Sequence, residues 1–222
     1  TRINAMIVMG IKSTYRFGHH MMSLGVDLTH FSNCAFNIPN YGINIPYLSI
    51  SYARTITQDS TLRIRPRVNQ FKKFYFGTYG IFSLKEINPH GSRKYPVYAL
   101  GGFCRYFFQQ RVGLETGIDL ISKQSVFDFE PQVNKSQWSI LQLGLYTGYL
   151  VPLNHFHFFF GMGVYIRDRY RPNGPLYHRI GFRYQLKNGL FGNVTLKSHW
   201  AKADYMELGL GYVFNFNKKH TE

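Results

Sequence analysis

The chain has 222 residues and carries 26 Lys and Arg against 11 Asp and Glu, a formal net charge of +15. Aromatic residues reach 18% and charged residues only 17%, against about 25% charged in an average soluble domain, which excludes a disordered chain. Two distant cysteines, Cys34 and Cys104, with no CxxC or Cys/His cluster exclude a disulfide scaffold and a zinc module. The longest nearly apolar stretch, Phe156 to Ile166, is shorter than the roughly 18 apolar residues of a membrane-spanning helix and contains His157. Any export signal is expected to have been removed or to lie upstream.

Taken in chain order, segments alternating at period two recur near 3–16, 20–32, 45–56, 71–86, 95–108, 112–123, 137–150, 155–168, 176–186, 190–200 and 204–216, separated by Gly, Pro, Asn, Asp and Ser. The strand at 20–32 places Met22, Leu24, Val26, Leu28, His30 and Ser32 on one face, opposite Ser23, Gly25, Asp27 and Thr29. In 112–120, Val112, Leu114, Thr116, Ile118 and Leu120 oppose Gly113, Glu115, Gly117 and Asp119. The strand at 176–184 sets Leu176, Ile180, Phe182 and Tyr184 against Arg179, Gly181 and Arg183, with His178 an exception on the apolar face. The last strand sets Met206, Leu208, Leu210, Tyr212, Phe214 and Phe216 against Tyr205, Glu207, Gly209 and Gly211.

Long strands, one apolar face and one face of glycine and mixed charge, with turns alternately short and long, are the marks of an antiparallel transmembrane β-barrel. The runner-up is a basic soluble β-sandwich. An even strand number is the rule for such barrels, so eleven segments predict about twelve strands, with one lying upstream or in the basic stretch 61–73. The expectation is a single outer-membrane barrel domain over 1–222. Glu115, Asp119, Glu207, Arg179, Arg183, Lys197 and His199 fall on its inner face, where paired charges would fill a narrow lumen.

The candidate chemistry lies in Thr29-His30-Phe31-Ser32-Asn33 and the following loop. A spacing of two residues places the His30 and Ser32 side chains about 6.5 to 7 Å apart along one face, within reach of an imidazole, and a His-activated serine facing the bilayer would act on lipid. The string HFSNxxxxxPNxGIN resembles the active-site segment of the lipid A 3-O-deacylases, the acyloxyacyl hydrolase-like outer-membrane enzymes. The run from Leu196 to Tyr205, with Glu207, Gly211 and Tyr212, is similar to the close of the longer Bacteroidetes-type members.

The resemblance implies a serine esterase of the bacterial outer membrane that removes the ester-linked acyl chain at the 3-position of lipid A. It assigns His30 as general base and Ser32 as nucleophile, with Asn33, Asn40 and Gly42 shaping the loop and oxyanion site. Asn44 stands where the better-known enzymes carry a Glu that orients the histidine. An Asn oxygen can still accept an imidazole N–H but supplies no charge.

Neither metal nor other cofactor is expected, and the expected state is a monomer or dimer. The basic residues Arg167, Arg169 and Arg171, at a long-loop end, are candidates for lipid A phosphates. Nucleic acid is set aside as a partner because no nucleic-acid motif accompanies the charge. The rival function is a noncatalytic barrel: a narrow pore, an adhesin or a structural element.

Overall fold

A computed structural model describes residues 5–56, 74–109, 112–130, 132, 134, 136–170, 173–200 and 202–214. It contains two compact units: Thr1–Asn33 with Asn40–Gln70, and Cys34–Pro39 with Phe71–Glu222.

The first unit holds β1 (Ala5–Phe17), β2 (His20–Ser32) and β3 (Ile43–Arg54), an antiparallel three-stranded sheet in the order β1-β2-β3. Gly18, at φ 58°, makes the tight turn between β1 and β2 that a Cβ would strain. The pairing Ile11↔Val26↔Leu48 sets large apolar residues of all three strands side by side. The neighbouring row, Lys12↔Gly25↔Ser49, carries the small and polar residues of the other face.

The second unit holds β4 (Phe74–Glu86), β5 (Lys94–Gln109), β6 (Val112–Lys123), the short helices α1 (Val126–Phe129) and α2 (Gln137–Ile140), β7 (Leu141–Leu153), β8 (Phe156–Arg167), β9 (Leu176–Gln185), β10 (Leu190–His199) and β11 (Lys202–Phe214). Each strand pairs with the next, and β11 returns to β4 through a register running from Leu208↔Phe82 to Phe214↔Phe76. Eight strands therefore close the barrel, not about twelve. Eight is already even, so the barrel needs no extra strand upstream or in 61–73, a stretch outside the described residues. The eleven segments expected from alternation are present among the described residues, and three of them stand outside the closure.

The barrel's pleat sorts its side chains in two. Outward positions carry Leu100, Ile118, Phe160, Phe182, Val194 and Leu210. Aromatic pairs gather outside at the short-turn end, among them Phe74 with Tyr106, Phe156 with Tyr184, and Tyr212 with Phe214. Inward, glycines make room for rings: a Cβ on Gly163 would collide with the ring of Tyr177. An eight-stranded barrel is just wide enough for side chains to fill, and here charged residues fill much of it.

Glu115 accepts from Arg105 Nη2 at 2.9 Å, from Arg183 Nη1 at 2.5 Å and from the Tyr146 hydroxyl at 3.0 Å. Arg179 grips Glu207 with Nε at 2.6 Å and Nη2 at 2.9 Å, and reaches Asp119 with Nη1 at 2.9 Å. Asp119 also accepts from the hydroxyls of Tyr79 and Tyr177. The lumen is thus plugged by paired charge, as the inner-face pattern predicted. Lys197 is held differently: among the described residues its Nζ has no hydrogen-bond partner, and it lies 3.9 Å from the centroid of the Tyr177 ring, a cation–π contact.

Two local departures from alternation follow from side-chain chemistry. Residues 137–140 form α2 rather than the start of a strand. Ser139 Oγ there donates to the carbonyls of Asn134 and Ser136, both at 2.6 Å, a local bonding choice that competes with a sheet ladder. Between β10 and β11 the register shifts at Lys197/Ser198, and the consecutive residues Asp204 and Tyr205 are both buried. Asp204 then receives Lys85, Lys123 Nζ at 2.7 Å and His199 Nε2 at 3.3 Å.

Candidate active site

The hairpin of β2 and β3 assembles most of the residues singled out in the sequence. His30 and Asn44 are directly opposed in the ladder, and His30 Nδ1 lies 2.7 Å from Asn44 Oδ1. An amide oxygen only accepts, so this bond places a proton on Nδ1 and makes Nε2 the lone-pair nitrogen of the neutral ring. The ring is half-buried and Asn44 exposed.

Gly42 is where the returning chain crosses the imidazole. A Cβ at that position would stand 2.5 Å from His30 Cε1, so a residue with a side chain would push the ring away. Glycine here is a requirement of close approach rather than of φ.

The turn out of β2 is built by the two asparagines. The backbone N–H of Asn33 donates to Asn40 Oδ1 at 3.1 Å, pinning the start of the loop to its end. Cys34 and Ala35 turn the chain through positive φ, 55° and 59°. Ser32 ends β2 on the face of His30, since Ala5↔Ser32 and Ile7↔His30 are alternate positions of one register, and its side chain is buried. Both side chains share the face of Leu24, Val26, Leu48 and Ile50, which are exposed.

Residues 34–39 pack with the second unit, a feature with no signal in the sequence. Glu86 accepts from the Ile38 N–H at 3.1 Å and from the Gly91 N–H at 2.7 Å, and Lys94 Nζ lies 4.4 Å from the centroid of the Phe36 ring. A carboxylate ending one strand and an amide 48 residues earlier are linked only by folding.

The basic candidates belong to the second unit, whereas His30 belongs to the first. Arg167 donates Nη2 to the Trp138 carbonyl at 2.8 Å and stacks over that indole at 4.1 Å, while Arg169 is exposed in the β8–β9 loop. Arg171 lies outside the described residues. His178, the outward exception on β9, packs edge-on against Trp200, with centroids 5.4 Å apart. Among the described residues, no group of three or more His, Cys, Asp or Glu is arranged to hold a metal ion.

Residues 70–218 match the family described as acyloxyacyl hydrolase, C-terminal domain, over more than half of the chain. The chain belongs to that family. The match covers β4–β11, whereas His30, Ser32 and Asn44 lie ahead of it. Within the acyloxyacyl hydrolase C-terminal domain, the run from Leu196 to Glu207 supplies the inward residues Lys197, His199, Asp204, Tyr205 and Glu207.

No curated protein matches the chain. Among solved structures, a de novo designed transmembrane β-barrel aligns at 12% identity and TM-score 0.42, over 65% of this chain and 98% of its own. The KdgM porin aligns at 11% identity and TM-score 0.30, over 96% and 98%. OprB from Pseudomonas putida aligns at 6% identity and TM-score 0.27, over 95% and 86%.

Proposed function

We propose that this protein is an outer-membrane serine esterase that removes an ester-linked acyl chain from lipid A, most simply the one at the 3-position. The observation that carries the reading is the 2.7 Å bond between His30 Nδ1 and Asn44 Oδ1, which supplies an oriented base two residues from a serine on the same strand face. Membership of an acyloxyacyl hydrolase family supports hydrolysis as the reaction class. The exposed apolar residues on that face suit a substrate presented from a bilayer.

In this mechanism His30 Nε2 takes the Ser32 hydroxyl proton as Oγ attacks the ester carbonyl. The new C–O bond gives a tetrahedral oxyanion. N–H groups of the turn pinned by Asn33 and Asn40 are the candidate donors to it, the type of stabilisation on which acyl transfer depends most. Collapse breaks the ester bond, and the imidazolium gives its proton to the leaving sugar oxygen, which departs as a hydroxyl. Water then repeats the sequence on the acyl-serine, releasing the fatty acid and restoring Ser32. Asn44 holds the ring through both halves.

Arg167, Arg169 and Arg171 are assigned to the phosphates of the lipid A headgroup, an anionic surface that a net charge of +15 suits. The noncatalytic alternatives gain least from the pore, because the Glu115, Asp119 and Glu207 networks occupy the lumen. Mass spectrometry of lipid A from cells with and without the protein tests the reading. Loss of one acyl chain only when the protein is present is the expected result, and identical lipid A profiles would leave a structural barrel.

A further inference from the structure

We infer that β1–β3 are three strands of a second closed β-barrel, whose remaining strands form an odd-numbered antiparallel run carried by polypeptide joined to the N-terminal end of β1. The first ground is the two-faced character of the sheet. One face bears Ile7, Met9, Ile11, Leu24, Val26, Leu28, Leu48 and Ile50, and the other bears Gly10, Lys12, Ser23, Gly25, Asp27 and Ser49. On the second face Ser49 donates to Asp27 at 2.8 Å and Thr14 bonds Ser23 at 3.0 Å. Small residues and bonded polar groups opposite large apolar ones are the same division that β4–β11 make between lumen and exterior.

The second ground is exposure. Ile11 is 84% exposed and Ile50 78%, while Lys12 and Ser51 on the opposite face are exposed as well. Three strands with neither face covered bury too little to stand alone. Among the described residues no strand pairs with the outer edge of β1 or of β3, so both edges face outward from the described sheet. Within a membrane only closure removes such edges.

Strand direction decides between sources. β1 and β3 run the same way, so a ring of copies of this sheet would set β3 of one copy parallel to β1 of the next. Every described ladder in the chain is antiparallel. Closure without a parallel pair needs an odd number of intervening strands, five if the second barrel matches the eight of the first. Sequence neighbours are spatial neighbours in both sheets of this chain, which places the next strand before β1, joined at the rim where Ala5 pairs with Ser32. The family match agrees, since it describes a C-terminal domain and starts at residue 70, beyond β3.

The inference is independent of the esterase reading, though it would put His30, Ser32 and Asn44 on the outer lip of the second barrel. Amide exchange tests it, on the polypeptide purified in detergent from its own outer membrane and on the 222-residue chain refolded in the same detergent. The native polypeptide should have the larger intact mass, with edge amides of β1 and β3 as slow as those of β4–β11. In the 222-residue chain the same edge amides should exchange on the order of a hundredfold faster while β4–β11 stay protected, as open edges do beside a closed sheet. Equal masses, or fast edge amides in the native polypeptide, would overturn the proposal. So would protection in the 222-residue chain that rises with protein concentration, which would assign the edges to second copies. No arm reads ester cleavage, so failure of the proposed activity leaves this result unaffected.

Discussion

His30 and Asn44 face each other across the β2–β3 ladder with Nδ1 and Oδ1 2.7 Å apart. Two residues fourteen apart in the chain are thus joined through a single hairpin register, and the proposed mechanism makes them its base and orienting group. Restoring a carboxylate with Asn44→Glu should raise ester cleavage, because a negative charge stabilises the imidazolium that forms during attack. Asn44→Ala should lower it, on the order of tenfold or more, by freeing the ring and its tautomer. Initial rates on purified lipid A check both, and equal rates in all three proteins would remove Asn44 from the chemistry.

Gly42→Ala tests the same geometry from the other side. The added methyl would sit 2.5 Å from His30 Cε1, and a displacement of about 1 Å in a catalytic group can cost on the order of a hundredfold in rate. The expected outcome is that loss of activity with heat-modifiable gel mobility unchanged. Full activity would show that the ring does not need its place beneath the chain.

Ser32→Ala should abolish deacylation. The substitution removes one oxygen at the end of β2, so folding should persist, again read from heat-modifiable mobility. Only the residual catalysis of the oxyanion site and binding should remain. Unchanged release of fatty acid, measured by mass spectrometry, would move the protein to a noncatalytic role.

Arg179→Leu addresses the lumen. It would strand Asp119 and Glu207, both fully buried and both held by that guanidinium. Removing one partner of a buried pair costs about 3–5 kcal/mol, so the urea midpoint of the barrel should fall markedly. A midpoint equal to wild type would mean that Thr195 and the tyrosines Tyr79 and Tyr177 suffice for the two carboxylates.

What the sequence determined by itself is what a pleat makes local. Side chains alternate every residue whatever the strand pairs with, so all eleven strands were legible, as was the inward placement of Glu115, Asp119, Arg179, Arg183, Lys197, His199 and Glu207. The partnership of His30 with Asn44 was legible through the motif's resemblance, whereas the close approach of Gly42 to His30 and the bond from the Asn33 N–H to Asn40 came only with the folded loop. How many strands share one wall was not legible, because closure rests on β4 meeting β11 across more than a hundred residues, a pairing that alternation cannot count. The Asp204 cluster was hidden because the register shift at Lys197/Ser198 breaks the period that would have revealed it. The hold of Glu86 on Ile38 likewise exists only once folding has brought that carboxylate to the Ile38 amide.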